Sequence, residues 1–264
     1  MDERDESKTG IALSGLRILL TGSAHLNRSF AQLIEQESGE PITLPFIRTT
    51  SVTPPLSVMN QVAEQQYYAV VFTSKNAVES FFKAFGHLQE KVFAPPIKIL
   101  SVGKKTTESL LNHGVNVDFT AKIHSMEGLL EEYDFTVTGQ KILYPAGNLA
   151  GETLRSRLST IGVETDQVIV YKTEAQEKAL HQYSELIQNS PPDWIILSSP
   201  SSVRVFIQFQ HTAPISPLIT KIAVIGSRTE EQLRESGVTP HCSPRTSTAE
   251  SVVEAIAAFE NFPR

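Results

Sequence analysis

"KIAVIGSRTEEQLRESGV", Lys221–Val238, has a counterpart 123 positions earlier in "KILSVGKKTTESLLNHGV", Lys98–Val115. Extending the alignment to Lys98–Leu130 against Lys221–Val253 gives nine identities in 33 positions, where unrelated chains give about two at average residue frequencies. Each copy reads as an apolar strand, a glycine-containing turn and an amphipathic helix. A unit of strand and helix written twice predicts a duplicated α/β architecture.

The duplication extends outward. "RILLTGS" and "SFAQLIEQESG" pair with "KILYPAG" and "TLRSRLSTIG", so that Phe30 and Ile34 answer Leu154 and Leu158. Both helices are expected to stop at a glycine, Gly39 or Gly162. "YYAVVFTSKNAVESFF" pairs with "PDWIILSSPSSVRVFI", each a buried strand entering a helix through hydroxyl residues that suit an N-cap. A further helix in each copy is headed by Ser125 or Thr248, with Glu127 or Glu250 in its first turn. Phe46-Ile47-Arg48-Thr49 matches Val170-Tyr171-Lys172-Thr173 inside two extended, β-branched segments that read as paired linkers. Alternating strand and helix periods predict an α/β fold of two similar lobes, with parallel sheets flanked by helices and joined by a two-stranded β linker. Repetition alone favours tandem lobes with a border near residues 134 to 140.

Composition narrows the function classes. The chain has 264 residues, 40% hydrophobic and 20% charged, ordinary globular material with room for one large domain or two small ones. Cys242 is the only cysteine, which excludes an intramolecular disulfide or a cysteine metal cluster and fits a reducing, cytoplasmic setting. No metal site is expected. Residues 1–10 are charged, lack the apolar core of a signal peptide and read as a disordered tail; no apolar run approaches the ~20 residues that span a bilayer. A formal charge of −6 argues against nucleic-acid binding, which rests on basic contacts to phosphate.

Four strand ends run into helices through hydroxyl-bearing turns: Thr73-Ser74, Gly103 to Thr106, Ser198-Ser199 and Gly226 to Thr229. In open parallel sheets ligands bind beyond the carboxyl ends of the strands, where helix N-termini offer N–H groups to anions. The competing reading is that these hydroxyls only cap helices. "GKKT" lacks the first glycine of a P-loop, and no dinucleotide fingerprint, serine-hydrolase elbow or H-E-x-x-H pair occurs. "HSME" and "HLQE" read as solvated helix faces. Tyr171 stands apart, because its counterpart is Ile47 and duplication does not require it. It is either packing or a phenol able to donate a proton.

These motifs in this order, "FTS" with Asn76, "VGKKT", "VIVYKT", "LSSPSSV", "KIAVIGSRT" and "STAESVV", resemble uroporphyrinogen-III synthase over about Arg17 to Phe259. The resemblance implies lobes formed by residues 11–42 plus 175–264 and by 51–167, with 43–50 and 168–174 as crossing strands. It implies a monomeric, cofactor-free hydro-lyase acting on hydroxymethylbilane, a linear tetrapyrrole with eight carboxylates, which loses water at ring A, inverts ring D and closes. It assigns proton donation to Tyr171 and substrate binding to Ser74, Asn76, Thr106, Ser199 and Thr229. Two departures stand out: Thr21-Gly22-Ser23 where the family often has Thr-Arg-Pro, and Ala146 where an arginine is common. They leave open a non-catalytic two-lobed module that binds a tetrapyrrole or another polycarboxylate. A periplasmic-type solute receptor is disfavoured by the absence of a signal peptide.

Overall fold

Residues 69–72, AVVF, are buried at every position, as are residues 194–197, WIIL. Strands of that kind need cover on both faces. The computed structural model describes residues 12–135 and 139–261; the tail expected over residues 1–10 lies outside them. In chain order the elements are β1 (Arg17–Leu20), α1 (Ala24–Gln36), β2 (Glu40–Thr43), β3 (Ile47–Ser51), α2 (Leu56–Glu64), β4 (Ala69–Phe72), α3 (Lys75–Phe85), α4 (Gln89–Val92), β5 (Lys98–Ser101), α5 (Lys104–Asn112), β6 (Phe119–Thr120) and α6 (Met126–Glu132). There follow β7 (Lys141–Gly147), α7 (Thr153–Ser159), β8 (Glu164–Ala175), α8 (Ala179–Asn189), β9 (Trp194–Leu197), α9 (Pro200–Gln210), β10 (Lys221–Val224), α10 (Ser227–Glu235) and α11 (Ala249–Glu260).

The chain divides into two compact units, Met1–Arg48 with Glu174–Arg264, and Thr49–Thr173. In the first, four strands lie in the order β10-β9-β1-β2, all parallel. Leu19, Ile195, Leu197, Ile222 and Val224 pack against Val203, Phe206 and Phe209 of α9 and Tyr183 of α8. The alternate residues Ile18, Leu20, Trp194, Ile196 and Ala223 pack against Phe30 and Ile34 of α1 and Val252, Val253 and Ile256 of α11. This period-two division places a helical layer on each face, and each fully buried large side chain contributes roughly 1.5 to 3 kcal/mol.

The second unit repeats the plan in a six-stranded sheet, β3-β8-β7-β4-β5-β6. Its central order β5-β4-β7-β8 corresponds strand for strand to β10-β9-β1-β2, and the registers agree. Arg17 pairs with Glu40 and Lys141 with Glu164; Leu100 pairs with Phe119 and Ala223 bridges Cys242. Each unit therefore combines the first motif of one sequence copy with the second motif of the other. The exchange leaves no boundary near residues 134 to 140, where tandem lobes would have placed one.

β8 is longer than a linker. Its first half pairs in parallel with β7 and its second half with β3. Val52 N–H donates to Val170 O at 2.7 Å and Gln176 N–H to Phe46 O at 2.9 Å, while the Thr49 and Thr173 hydroxyls meet at 3.3 Å. One index rises as the other falls, so β3 and β8 run antiparallel. One helix end departs from expectation: after α1 the left-handed residue is Ser38, φ 60°, not Gly39, whereas Gly162 at φ 76° occupies the expected place after α7. Gly39 is needed for space, since a Cβ there would lie 2.7 Å from Ile34 Cγ2.

Two predictions follow from the packing. Gly128 is the third residue of α6, and a Cβ on it would lie 2.6 Å from Ile123 Cβ and closer still to the Ile123 carbonyl oxygen. Helix propensity alone makes Gly→Ala favourable by about 1 kcal/mol, yet fixed backbone blocks the methyl. Gly128→Ala is expected to destabilise by about 1 to 3 kcal/mol, the usual cost of overpacking, read as a lower thermal midpoint. The second concerns a backbone amide that the two copies hold differently. Asp118 Oδ2 accepts from Ile99 N–H at 2.8 Å, and His241 Nδ1 accepts from Ile222 N–H at 3.1 Å. Burial, then the Lys221 ammonium, lowers the His241 pKa. A lowered histidine pKa contributes stability that is present above the unfolded value near 6.5 and lost as pH falls toward the folded one. The thermal midpoint should therefore drop as pH falls below about 6.5, and His241→Asn, which keeps an acceptor without titrating, should flatten that slope.

Candidate active site

Just past the carboxyl end of β4, hydroxyls from Thr73 and Ser74 meet those of Tyr144 on β7 and Tyr171 on β8, all in one unit. Ser74, in extended backbone, caps α3 by accepting from Ala77 N–H at 3.1 Å. Its oxygen lies 3.3 Å from the Tyr171 hydroxyl on β8. With one lone pair of Ser74 taken by the helix amide, its own hydrogen and its second lone pair remain for the phenol. Beside them Thr73 Oγ1 is 3.5 Å from the hydroxyl of Tyr144 on β7. Burial raises the Tyr144 phenol above the ordinary tyrosine range, although the Thr73 contact opposes the rise. Asn76 is exposed on the first turn of α3.

Thr106 is 5% exposed and lines a hollow of about 370 Å³ with Thr73, Gly103, Lys104, Lys105 and His124. It does not cap its helix. The N-cap of α5 is Gly103, with no side-chain bond, and Thr106 is the third helical residue, its N–H donating to Gly103 O at 2.9 Å.

The other unit shows the same division of labour. Ser199 caps α9 through Ser202 N–H at 3.1 Å, and Ser202 Oγ accepts in return from Ser199 N–H at 3.1 Å. Thr229, 3% exposed, again stands third in its helix behind a capless glycine, Gly226. The competing reading, that the turn hydroxyls cap helices, thus describes Ser74 and Ser199 but not Thr106 or Thr229. In the latter pair the N-cap is a glycine, which supplies no side-chain bond to the helix start.

Ser74 and Tyr171 are in contact and Thr106 lines the neighbouring hollow through Thr73, whereas Ser199 and Thr229 belong to the other unit. His124 and Tyr144 were not among the expected residues. The "HSME" histidine is not on the helix that follows: Ser125 is the cap of α6, and the His124 ring lies over Gly103. A signal for both existed in the duplication, since His124 corresponds to Ser247 and Tyr144 to Leu20; like Tyr171, neither is required by the repeat. Both departures are accommodated by close packing. A Cβ at Gly22 would come within 2.6 Å of Ser198 Oγ, and Ala146 is buried at 1% exposure inside the sheet. Cys242 is no nucleophile, because burial pushes its thiol up to about 12.

Comparison with known proteins converges on one group. The family model described as Uroporphyrinogen-III synthase HemD matches residues 28–254. A uroporphyrinogen-III synthase of Chlorobaculum parvum is 24% identical over 247 residues, covering 91% of this chain and 97% of its own. A mutant uroporphyrinogen III synthase of Thermus thermophilus superposes with a TM-score of 0.70 at 17% identity, over 93% of this chain and 98% of that one. The uroporphyrinogen-III synthetase of Helicobacter pylori gives 0.59 at 18% identity, over 90% and 97%. At such identities the solved structures speak for the two-unit α/β fold, and the family match extends across both units and all five hydroxyl-bearing positions from Ser74 to Thr229: this chain belongs to the uroporphyrinogen-III synthase family.

Proposed function

We propose that this chain converts hydroxymethylbilane to uroporphyrinogen III, with Tyr171 as the proton donor. The observation that carries the reading is the Tyr171 hydroxyl, held 3.3 Å from Ser74 Oγ at the carboxyl edge of a parallel sheet. In the reaction the hydroxymethyl carbon–oxygen bond on ring A breaks, and the oxygen leaves as water once it has received a proton. The electron-rich pyrrole stabilises the cation left behind, and ring D attacks it at the carbon that carries its bridge to ring C; that bridge bond then breaks, and the ring C cation so formed closes on the unsubstituted carbon of ring D, which loses its proton to complete the inverted macrocycle. The phenol of Tyr171 carries the hydrogen that it would donate, and Ser74 keeps the group oriented. What the protein adds beyond the proton is conformational: a flexible chain has to be held folded so that the correct carbon of ring D meets the cation, an orientation effect. The positive ends of the helix dipoles and the hydroxyls of Thr106, Ser199 and Thr229 suit the substrate's carboxylates, with Asn76 as a further polar contact.

The decisive assay incubates the purified protein with hydroxymethylbilane and separates the product isomers. Spontaneous closure gives the type I isomer, so product that stays type I at stoichiometric protein leaves a binding module in place of an enzyme. Tyr171→Phe keeps the ring and deletes the hydroxyl; turnover to the type III isomer is expected to fall about 10²- to 10⁴-fold, the range for a general acid, with the thermal midpoint unchanged. Wild-type turnover in that variant would make Tyr171 a packing residue.

The caps and the buried threonines separate by a paired measurement. Ser199→Ala removes a cap and should cost about 1 kcal/mol of stability. Thr229→Val is isosteric and breaks no cap, so the thermal midpoint should hold while substrate binding weakens by about 0.5 to 3 kcal/mol, the range for a lost hydrogen bond. An unchanged KM for Thr229→Val removes that threonine from the binding set.

A further inference from the structure

We infer that Gly147 is a positioning residue for the proposed proton donor: its missing side chain is the space that the Tyr171 ring occupies. The inference rests on the assignment of Tyr171 as donor. A Cβ built on Gly147 would lie 2.5 Å from Tyr171 Cε2, 2.5 Å from Cζ and 2.8 Å from the hydroxyl oxygen. Those distances fall well inside van der Waals contact, and the offending atoms are the polar end of the ring, the part whose place matters.

The backbone explains why the ring lies there. β7 and β8 pair residue for residue as far as Ala146 with Ile169, then the register slips and Gly147 pairs with Tyr171. The bulge adds a residue to β8 at Val170 and re-aims the side chain that follows, the common use of such irregularities beside functional sites. Beyond it Asn148 fastens the strand with its side chain: Oδ1 accepts from Thr173 N–H at 2.8 Å, Nδ2 donates to Thr173 O at 3.3 Å, and its own N–H donates to Tyr171 O at 3.1 Å. Gly147 is not among the residues with positive φ, so the backbone accepts any residue there, and it is space that demands glycine.

The other copy of the repeat supplies an independent check. Gly147 corresponds to Ser23 and Tyr171 to Ile47, both at an offset of 124. Where the tyrosine is absent the partner position carries a side chain, and Ser23 uses it to cap α1. A glycine demanded by the fold would recur in both copies; one demanded by the tyrosine occurs only with it.

The test is a double-mutant cycle on turnover of hydroxymethylbilane to the type III isomer. Gly147→Ala in the wild-type background displaces the phenol and should lower kcat about 10²-fold, the scale of an ångström-sized misplacement, with KM changing less than kcat. In the Tyr171→Phe background the same substitution should cost no more than twofold, because no hydroxyl is left to misplace. If Gly147→Ala fails to fold, Asn148→Ala, which alters an exposed side chain, takes its place in the same cycle with the same expected non-additivity. Equal losses of turnover in both backgrounds, or no loss in the wild type, overturn the positioning role and leave Tyr171 as donor. Wild-type turnover in Tyr171→Phe alone overturns the donor assignment, and the inference with it.

Discussion

The antiparallel pairing of β3 with the far half of β8 is the constraint from which the rest of the architecture follows. Each sequence copy contributes its first motif to one sheet and its second to the other, so the chain has to pass between the units twice. Two crossings that ran alone would each expose a row of unpaired amides and carbonyls. Running side by side they satisfy each other, through Val52 N–H to Val170 O at 2.7 Å and Gln176 N–H to Phe46 O at 2.9 Å, with the Arg48 and Glu174 ion pair at 3.8 Å in the same register. That pair is exposed on both sides and adds little; the backbone bonds set the geometry. Tyr171 lies on this shared segment, where the parallel strand of one unit becomes the crossing.

Much of the fold was legible because parallel strands buried on both faces have an unmistakable composition. "AVVF" and "WIIL" can hardly be anything else, and Ser125 and Thr248 announce their helices by cap chemistry. The exchange of motifs between units was not legible from the repeat itself. Tandem and exchanged arrangements use the same strands, helices and registers, and they differ only in which copy lies beside which, a long-range matter that local propensity does not record. The same limit applies at Thr106 and Thr229. A hydroxyl near a helix start is a cap or a third-position residue depending on where the preceding glycine ends the strand, a shift of three residues below the resolution of pattern reading. Ser38 in place of Gly39 is a shift of one.

The candidate site was legible where the two copies disagree. A duplicated sheet needs its apolar strand residues, its caps and its tight turns in both halves, so agreement between copies carries mostly structural information. Asp118 against His241 shows that even a disagreement can be structural, since both side chains accept from the equivalent strand amide. Tyr171 against Ile47 differs in kind: isoleucine fills the strand without a polar atom, and the phenol introduces one whose partner, Ser74, is already employed as a cap. Tyr144 against Leu20 and Gly147 against Ser23 belong to the same asymmetric edge and were missed because each, taken singly, is an ordinary strand or turn residue.

This asymmetry accords with the chemistry of the family. Closing a flexible polycarboxylate chain calls for many weak anion contacts and few acids or bases, because the leaving oxygen needs one proton and the pyrrole supplies the electrons. A duplicated scaffold provides the first requirement almost automatically: every strand end copied is another helix N-terminus, whose positive dipole end favours an anion. It cannot provide the second, since a proton donor copied into both halves would serve the reaction in only one of them. Loss of symmetry along one edge, with a glycine and a phenol facing each other across a bulge where the other copy has a serine and an isoleucine, is a small set of changes by which such a frame acquires a single directed hydroxyl.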